Sequence, residues 1–103
     1  MKADSFKAFV LGQLKDIGEL DCRAMFGGYG IYSEEIFFGI IYEGKLFFKT
    51  SEETRQAYLA KGMKPFQPTA TQILRDYYEV PVNIIEDCTM LAELAEESIE
   101  VAS

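Results

Sequence analysis

The segment that most restricts the fold runs from Cys22 to Thr50, where Ile, Phe and Tyr crowd between short polar breaks at Ser33 to Glu35 and Tyr42 to Lys45. Side chains of this kind fit a pleated sheet better than a helix, so the segment reads as three consecutive strands joined by tight turns. The middle strand, Ile36 to Tyr42 (IFFGIIY), is apolar on both faces. In the third, Leu46 and Phe48 point one way while Lys45, Phe47 and Lys49 point the other, which makes that strand half wet.

Helical periodicity flanks this block. From about Asp4 to Ile17, Phe6, Phe9, Val10, Leu14 and Ile17 recur at three- and four-residue steps, and Gly18 supplies the stop. Thr50 followed by Glu53 has the spacing of a capping box and opens a second helix ending at Gly62. Pro65 and Pro68 fence off a loop, Ile73 to Val80 returns to strand character, and Pro81 closes it. In the last segment, at about 100° per residue, Leu91, Leu94, Ala95, Ser98, Ile99, Val101 and Ala102 share one face, with Glu93, Glu96, Glu97 and Glu100 opposite. The element order is therefore α-β-β-β-α-β-α, and the 103 residues fit a single domain spanning 1–103.

Charge and composition remove several function classes. The net charge is −7, and beyond residue 82 the chain has six acids and no base. A duplex-binding surface needs clustered Lys and Arg, so no direct contact with nucleic acid is expected. Histidine is absent, which removes both the usual neutral-pH general base and the commonest transition-metal ligand. No metal, no cofactor and no catalytic residue is expected. No apolar run reaches the roughly 18 residues of a membrane span, and the N-terminal MKADSFKAF is too charged for a signal peptide, so a cytoplasmic location is expected. Cys22 and Cys88 are far apart in sequence and read as reduced, packed thiols.

The run RAMFGGYGIY, Arg23 to Tyr32, is the one motif with a ligand-binding look. Successive amides around Gly27, Gly28 and Gly30 suit a phosphate nest, but nucleotide loops open a helix or end in Lys, whereas this run continues into strand residues with no cation beyond Arg23. The glycines read instead as a bulge or sharp turn at positive φ, or as positions that let a partner's ring or backbone approach closely.

The combination of RAMFGGYGIY, IFFGIIYEGKLFFKT, GMKPF and YYEVP resembles the N-terminal domain of the TfoX/Sxy family of bacterial competence regulators over nearly the whole chain. Its most specific parts are Phe26-Gly27-Gly28-Tyr29-Gly30, the Gly44 hairpin with Phe47, and Tyr77-Tyr78-Glu79-Val80-Pro81. The resemblance implies a two-layer α+β fold of the secretion-chaperone type, with an antiparallel sheet of about five strands under helices. Full-length members carry a second, helix-hairpin-helix domain and are thought to act as coactivators with the cyclic-AMP receptor protein; the resemblance here covers the N-terminal domain, which is expected to act as a stand-alone unit. The resulting expectation is a non-enzymatic protein-interaction module in transcription regulation. Its candidate contacts are Arg23, Phe26 to Gly30, Phe47, Tyr77, Tyr78 and the acidic face Glu93, Glu96, Glu97 and Glu100, though the last reads first as a solvated face that keeps the protein soluble. The alternative is a small-molecule binder or weak enzyme with a pocket near Arg23, Tyr29, Tyr32 and Tyr77. Homodimerisation through a sheet face bearing Phe37, Tyr42 and Phe47 overlaps both readings.

Overall fold

The computed structural model describes residues 2–25 and 27–103. Helix α1 (Lys2–Gln13) runs into a 3-10 turn at Lys15–Ile17. Four strands follow, β1 (Asp21–Met25), β2 (Gly28–Ser33), β3 (Ile36–Tyr42) and β4 (Lys45–Lys49), then helix α2 (Arg55–Ala60). A hairpin of β5 (Pro65–Thr69) and β6 (Gln72–Glu79) leads to the short α3 (Val82–Ile85) and the long α4 (Cys88–Ala102). The strands form one antiparallel sheet in the order β1-β2-β3-β4-β6-β5, with the helices packed against it. This is the expected two-layer α+β arrangement with six strands in place of about five.

The order α-β-β-β-α-β-α has four strands, and both of the two it lacks have a physical source. The run read as one strand from Cys22 onward folds back on itself at Gly27, whose φ of +81° is cheap only for glycine, so β1 pairs with β2 through Arg23↔Gly30 and Ala24↔Tyr29. The segment read as a loop between Pro65 and Pro68 is β5, an edge strand bonded on one side to β6 alone. An edge position tolerates the missing proline amides, and Phe66 between them is buried at 1% exposure.

The sheet has apolar side chains on both faces. Under the helices, Val10, Leu14, Ile31, Phe38, Ile41, Leu46, Phe48, Leu91 and Ala95 form the main core. On the other face Ile40, Phe47, Phe66 and Tyr77 form a second cluster, with Phe37, Tyr42 and Leu74 packed against it. β3 feeds both by ordinary alternation, and a bulge sets its phase: Ile31 lies opposite Gly39 and Tyr32 opposite Phe37, leaving Phe38 without a partner on β2. Side-chain alternation slips by one there, so Phe38 and Ile41 face the helices while Phe37, Ile40 and Tyr42 face away.

Several local expectations shift. α1 is shorter than Asp4 to Ile17, and Phe9, placed on its apolar face, is 47% exposed; Val10 and Leu14 are the residues fully buried. The capping box is displaced by one residue: the Ser51 amide donates to Thr54 Oγ1 (2.9 Å) and the Thr54 amide to Ser51 Oγ (3.1 Å). Thr50 is instead buried, its hydroxyl donating to the Asp76 carbonyl (2.9 Å) and accepting from Arg55 Nε (3.0 Å). α2 does end at Gly62, in a Schellman motif: the Met63 amide reaches the Tyr58 carbonyl, the Gly62 amide reaches that of Leu59, and Gly62 has φ +75°. Asp87 caps α4 by accepting from the Met90 amide (3.1 Å).

Candidate interaction surfaces

The sheet face away from the helices carries a row of rings. Tyr32 stacks on Phe37 (5.1 Å between centroids) and Phe37 on Tyr77 (5.2 Å), while Phe66 packs on Phe47 (4.9 Å) and edge-on to Tyr42 (5.2 Å). Cations close both ends of the first row: the Arg23 guanidinium sits 4.1 Å from the Tyr32 centroid and Lys49 Nζ 5.4 Å from that of Tyr77. Neither cation is free for an anionic ligand. Arg23 pairs with Asp21 (3.1 Å) and Glu35 (3.0 Å), and Lys49 pairs with Asp76 (3.3 Å). Glu35 is placed by a two-residue turn in which Glu34 (φ +48°) and Glu35 (φ +71°) both take the left-handed conformation that hairpins of this length require.

The face is drier than expected. Phe47, read as lying on a wet surface, is 6% exposed because Phe66 covers it, and Tyr77 is 7% exposed with its hydroxyl donating to the Phe37 carbonyl (3.3 Å). Burial, reinforced by Asp76 and Tyr32, pushes the Tyr77 phenol up to about 12. Both residues belong to a self-covered cluster.

The proposed Arg23, Tyr29, Tyr32 and Tyr77 pocket is not assembled. Arg23, Tyr32 and Tyr77 share the ring-bearing face, with Phe37 inserted between the two tyrosines. Tyr29 is on the other face, packed against the main core with Lys7 Nζ 4.3 Å from its ring centroid. Tyr78 also turns to the helical side, 6.4 Å from Tyr58 and 5.7 Å from the Arg55 guanidinium. Phe26 lies outside the described residues.

The glycines of the motif act in three different ways. Gly27 alone has positive φ; Gly28 and Gly30 lie within β2, so the single-turn reading holds for the first only. A Cβ on Gly28 would run into the Ile41 carbonyl oxygen of the neighbouring strand, and one on Gly30 would press on the Met25 sulfur and the Phe37 ring at 3.0 Å. Close approach is thus satisfied inside the fold, by β3 and β1.

On the helical side, α4 buries Leu91, Ala95 and Ser98 and leaves Glu93, Glu96, Glu97 and Glu100 exposed, as its angles predict. Among the described residues no Lys or Arg forms an ion pair with any of the four. Next to this acidic face is a feature the sequence did not announce, an apolar cleft of about 90 Å³ lined by Ala57, Tyr58 and Lys61 of the α2 region, Pro81 and Ile84 around α3, and Leu94 of α4. Below it the Tyr58 and Ser98 hydroxyls are neighbours that fall short of a hydrogen bond, and neither has a partner among the described residues. Burial pushes the Tyr58 phenol far upward. Sequence reasoning also missed the brace of Thr50, Arg55 and Asp76, in which Arg55 bonds Asp76 Oδ1 (3.0 Å) and ties α2 to β6.

Cys22 is half-buried and its thiol is pushed up by burial against the opposing pull of Lys7; Cys88 is exposed at the start of α4, contrary to the packed reading, and both are free thiols. No group of three or more Cys, Asp or Glu is placed to hold a metal among the described residues, and no helix there is long and apolar enough to cross a membrane.

No curated protein matches the chain significantly. The family model described as the TfoX N-terminal domain matches residues 12–102, which takes in the sheet, the ring-bearing face and α4 together. With nine-tenths of its length under that match, the chain belongs to the TfoX N-terminal domain family.

Proposed function

We propose that this protein is a non-enzymatic interaction module of transcription regulation that works through protein contacts and not by gripping DNA. The observation that carries this reading is the division of charge. Arg23, Lys49 and Arg55 are each engaged by carboxylates of the chain itself, whereas the four acids of α4 stand exposed with no counter-ion among the described residues. Such a surface repels a phosphate backbone and attracts a basic protein patch. The tyrosines support the absence of catalysis, since Tyr58 and Tyr77 are shifted away from the ionised form that a nucleophile or base would need. Family membership supplies the regulatory setting and the first partners to try.

The test is binding of the purified chain to the cyclic-AMP receptor protein, to RNA polymerase and to labelled duplex DNA, at about 50 mM salt and again at about 200 mM. Expected is a salt-sensitive complex with a protein, weakened when Glu93, Glu96, Glu97 and Glu100 become Gln, and no shift of the duplex. Tight duplex binding with a steep salt slope would overturn the reading.

A further inference from the structure

The apolar cleft between α2, α3 and α4 combines a hydrocarbon lining with an acidic neighbour. Its walls are almost wholly carbon, supplied by Ala57, the Tyr58 ring, Pro81, Ile84 and Leu94, with Lys61 the one charged residue of the lining. The same three helices expose large apolar side chains to solvent: Leu59 at 47%, Val82 at 64% and Met90 at 43%. At about 100° per residue, Met90, Leu94 and Val101 make one stripe along α4, and Glu93, Glu97 and Glu100 make the adjoining one. Glu97 is near enough to the cleft to act electrostatically on Tyr58. An apolar slot is therefore bordered on one long side by carboxylates that have no ion-pair partner among the described residues.

We propose that this cleft docks an amphipathic helix of a partner protein, with one aliphatic anchor in the slot and Lys or Arg on the flank that meets α4. The proposal deepens the interaction-module reading and rests on it. Three features select this occupant. The slot lies between helices, so it offers no strand edge; a segment binding there gains no backbone hydrogen bonds from the walls and must satisfy its own, as a helix does. Its volume of about 90 Å³, below the ~150 Å³ of an enclosed cavity that holds benzene, suits a single aliphatic side chain as the buried anchor. On the α4 side the carboxylates favour bases over acids, adding to on-rate and register while the anchor supplies most of the affinity; Lys61 on the α2 side is the opposing cation, so the bases of the bound helix belong on its α4 flank.

The probe is a synthetic amphipathic peptide with Leu at i, i+3, i+4 and i+7 and Lys on both flanks. Two controls accompany it, one with Glu in place of each Lys and one with the same composition but the Leu stripe scrambled. Binding is followed by amide chemical shifts of the ¹⁵N-labelled chain. The expected result is that the Lys peptide alone perturbs α2, Pro81 to Ile84 and α4. Its affinity should fall at least tenfold in Ala57→Glu, an exposed cleft-wall position where the fold is undisturbed, and severalfold in Glu93→Gln with Glu97→Gln. Equal binding of the scrambled peptide, or shifts confined to the ring-bearing sheet face, would overturn the proposal. So would concentration-dependent self-association abolished by Ala57→Glu, because the cleft would then belong to a second copy. If the cyclic-AMP receptor protein or RNA polymerase binds the chain and Ala57→Glu leaves that complex unchanged, the docking proposal fails while the interaction-module reading stands.

Discussion

Replacing Phe66 with Ala tests whether the second apolar cluster is a true part of the fold. The ring is 1% exposed and packs on Phe47 of β4 at 4.9 Å and Tyr42 of β3 at 5.2 Å, two and three strands into the sheet although Phe66 itself sits on the edge. Truncating a buried Phe to Ala costs about 3–5 kcal/mol, of which each lost ring pair accounts for roughly 0.5–1.5. An edge strand relaxes into the vacancy more readily than a central one, so the lower end, about 3 kcal/mol, is expected. A chain of this size has on the order of 5–15 kcal/mol of stability, so the loss is a large share of it and lowers the melting temperature by about 12 °C or more. Urea unfolding followed by far-ultraviolet circular dichroism measures the loss, with Phe66→Leu recovering part of it. The same variant uncovers Phe47, and sedimentation at rising concentration should report stronger self-association than in the parent. A loss below about 1 kcal/mol, with only the β5 amides losing exchange protection, would refute the argument and make the hairpin an appendage.

Two glycines give opposite outcomes for the same substitution. Gly28→Ala drives a Cβ into the Ile41 carbonyl and should abolish soluble folded protein, whereas Gly12→Ala on α1, with nothing within 4 Å of the new carbon, should raise stability by about 0.5–1 kcal/mol in thermal unfolding. Alkaline pH supplies a further check. Tyr77 holds its proton up to about 12 in the folded chain but releases it near 10 when unfolded, so its contribution to stability is complete below pH 10 and is lost as pH climbs towards 12. Tyr77→Phe should make that part of the profile shallower without flattening it, because Tyr58, pushed up further by burial, loses its contribution over the same alkaline range; urea midpoints across the range alongside tyrosinate absorbance read the difference.

Much of the helical layer is legible from periodicity alone. α4 obeys its angular pattern from Leu91 onward, because it is long enough for the apolar stripe to outvote local preferences. The sheet is harder to read. Phe9 and Phe47 show why: hydrophobicity says that a residue seeks cover, and only topology says whether cover arrives. α1 turns Phe9 outward, and the β5 hairpin reaches round to shield Phe47. Pro65 and Pro68 conceal β5 because proline argues against a strand unless one already knows that the strand has a free edge. Of the candidate contacts, the acids of α4 could be placed from sequence since they depend on a single helix. The cleft beside them depends on three segments remote in sequence meeting in space, and no local pattern announces such a meeting.

The extra residue at Phe38 acts as a phase slip in the middle of the sheet. Upstream of it, the side facing the helices is reached by one parity of position; downstream, by the other. A saturation scan along β3 should therefore show two alternating tolerance patterns out of step with each other, and removing a single residue there would exchange the inner and outer linings of half the strand. Each lining is then held in place by the other, and the chain cannot repaint one without disturbing both.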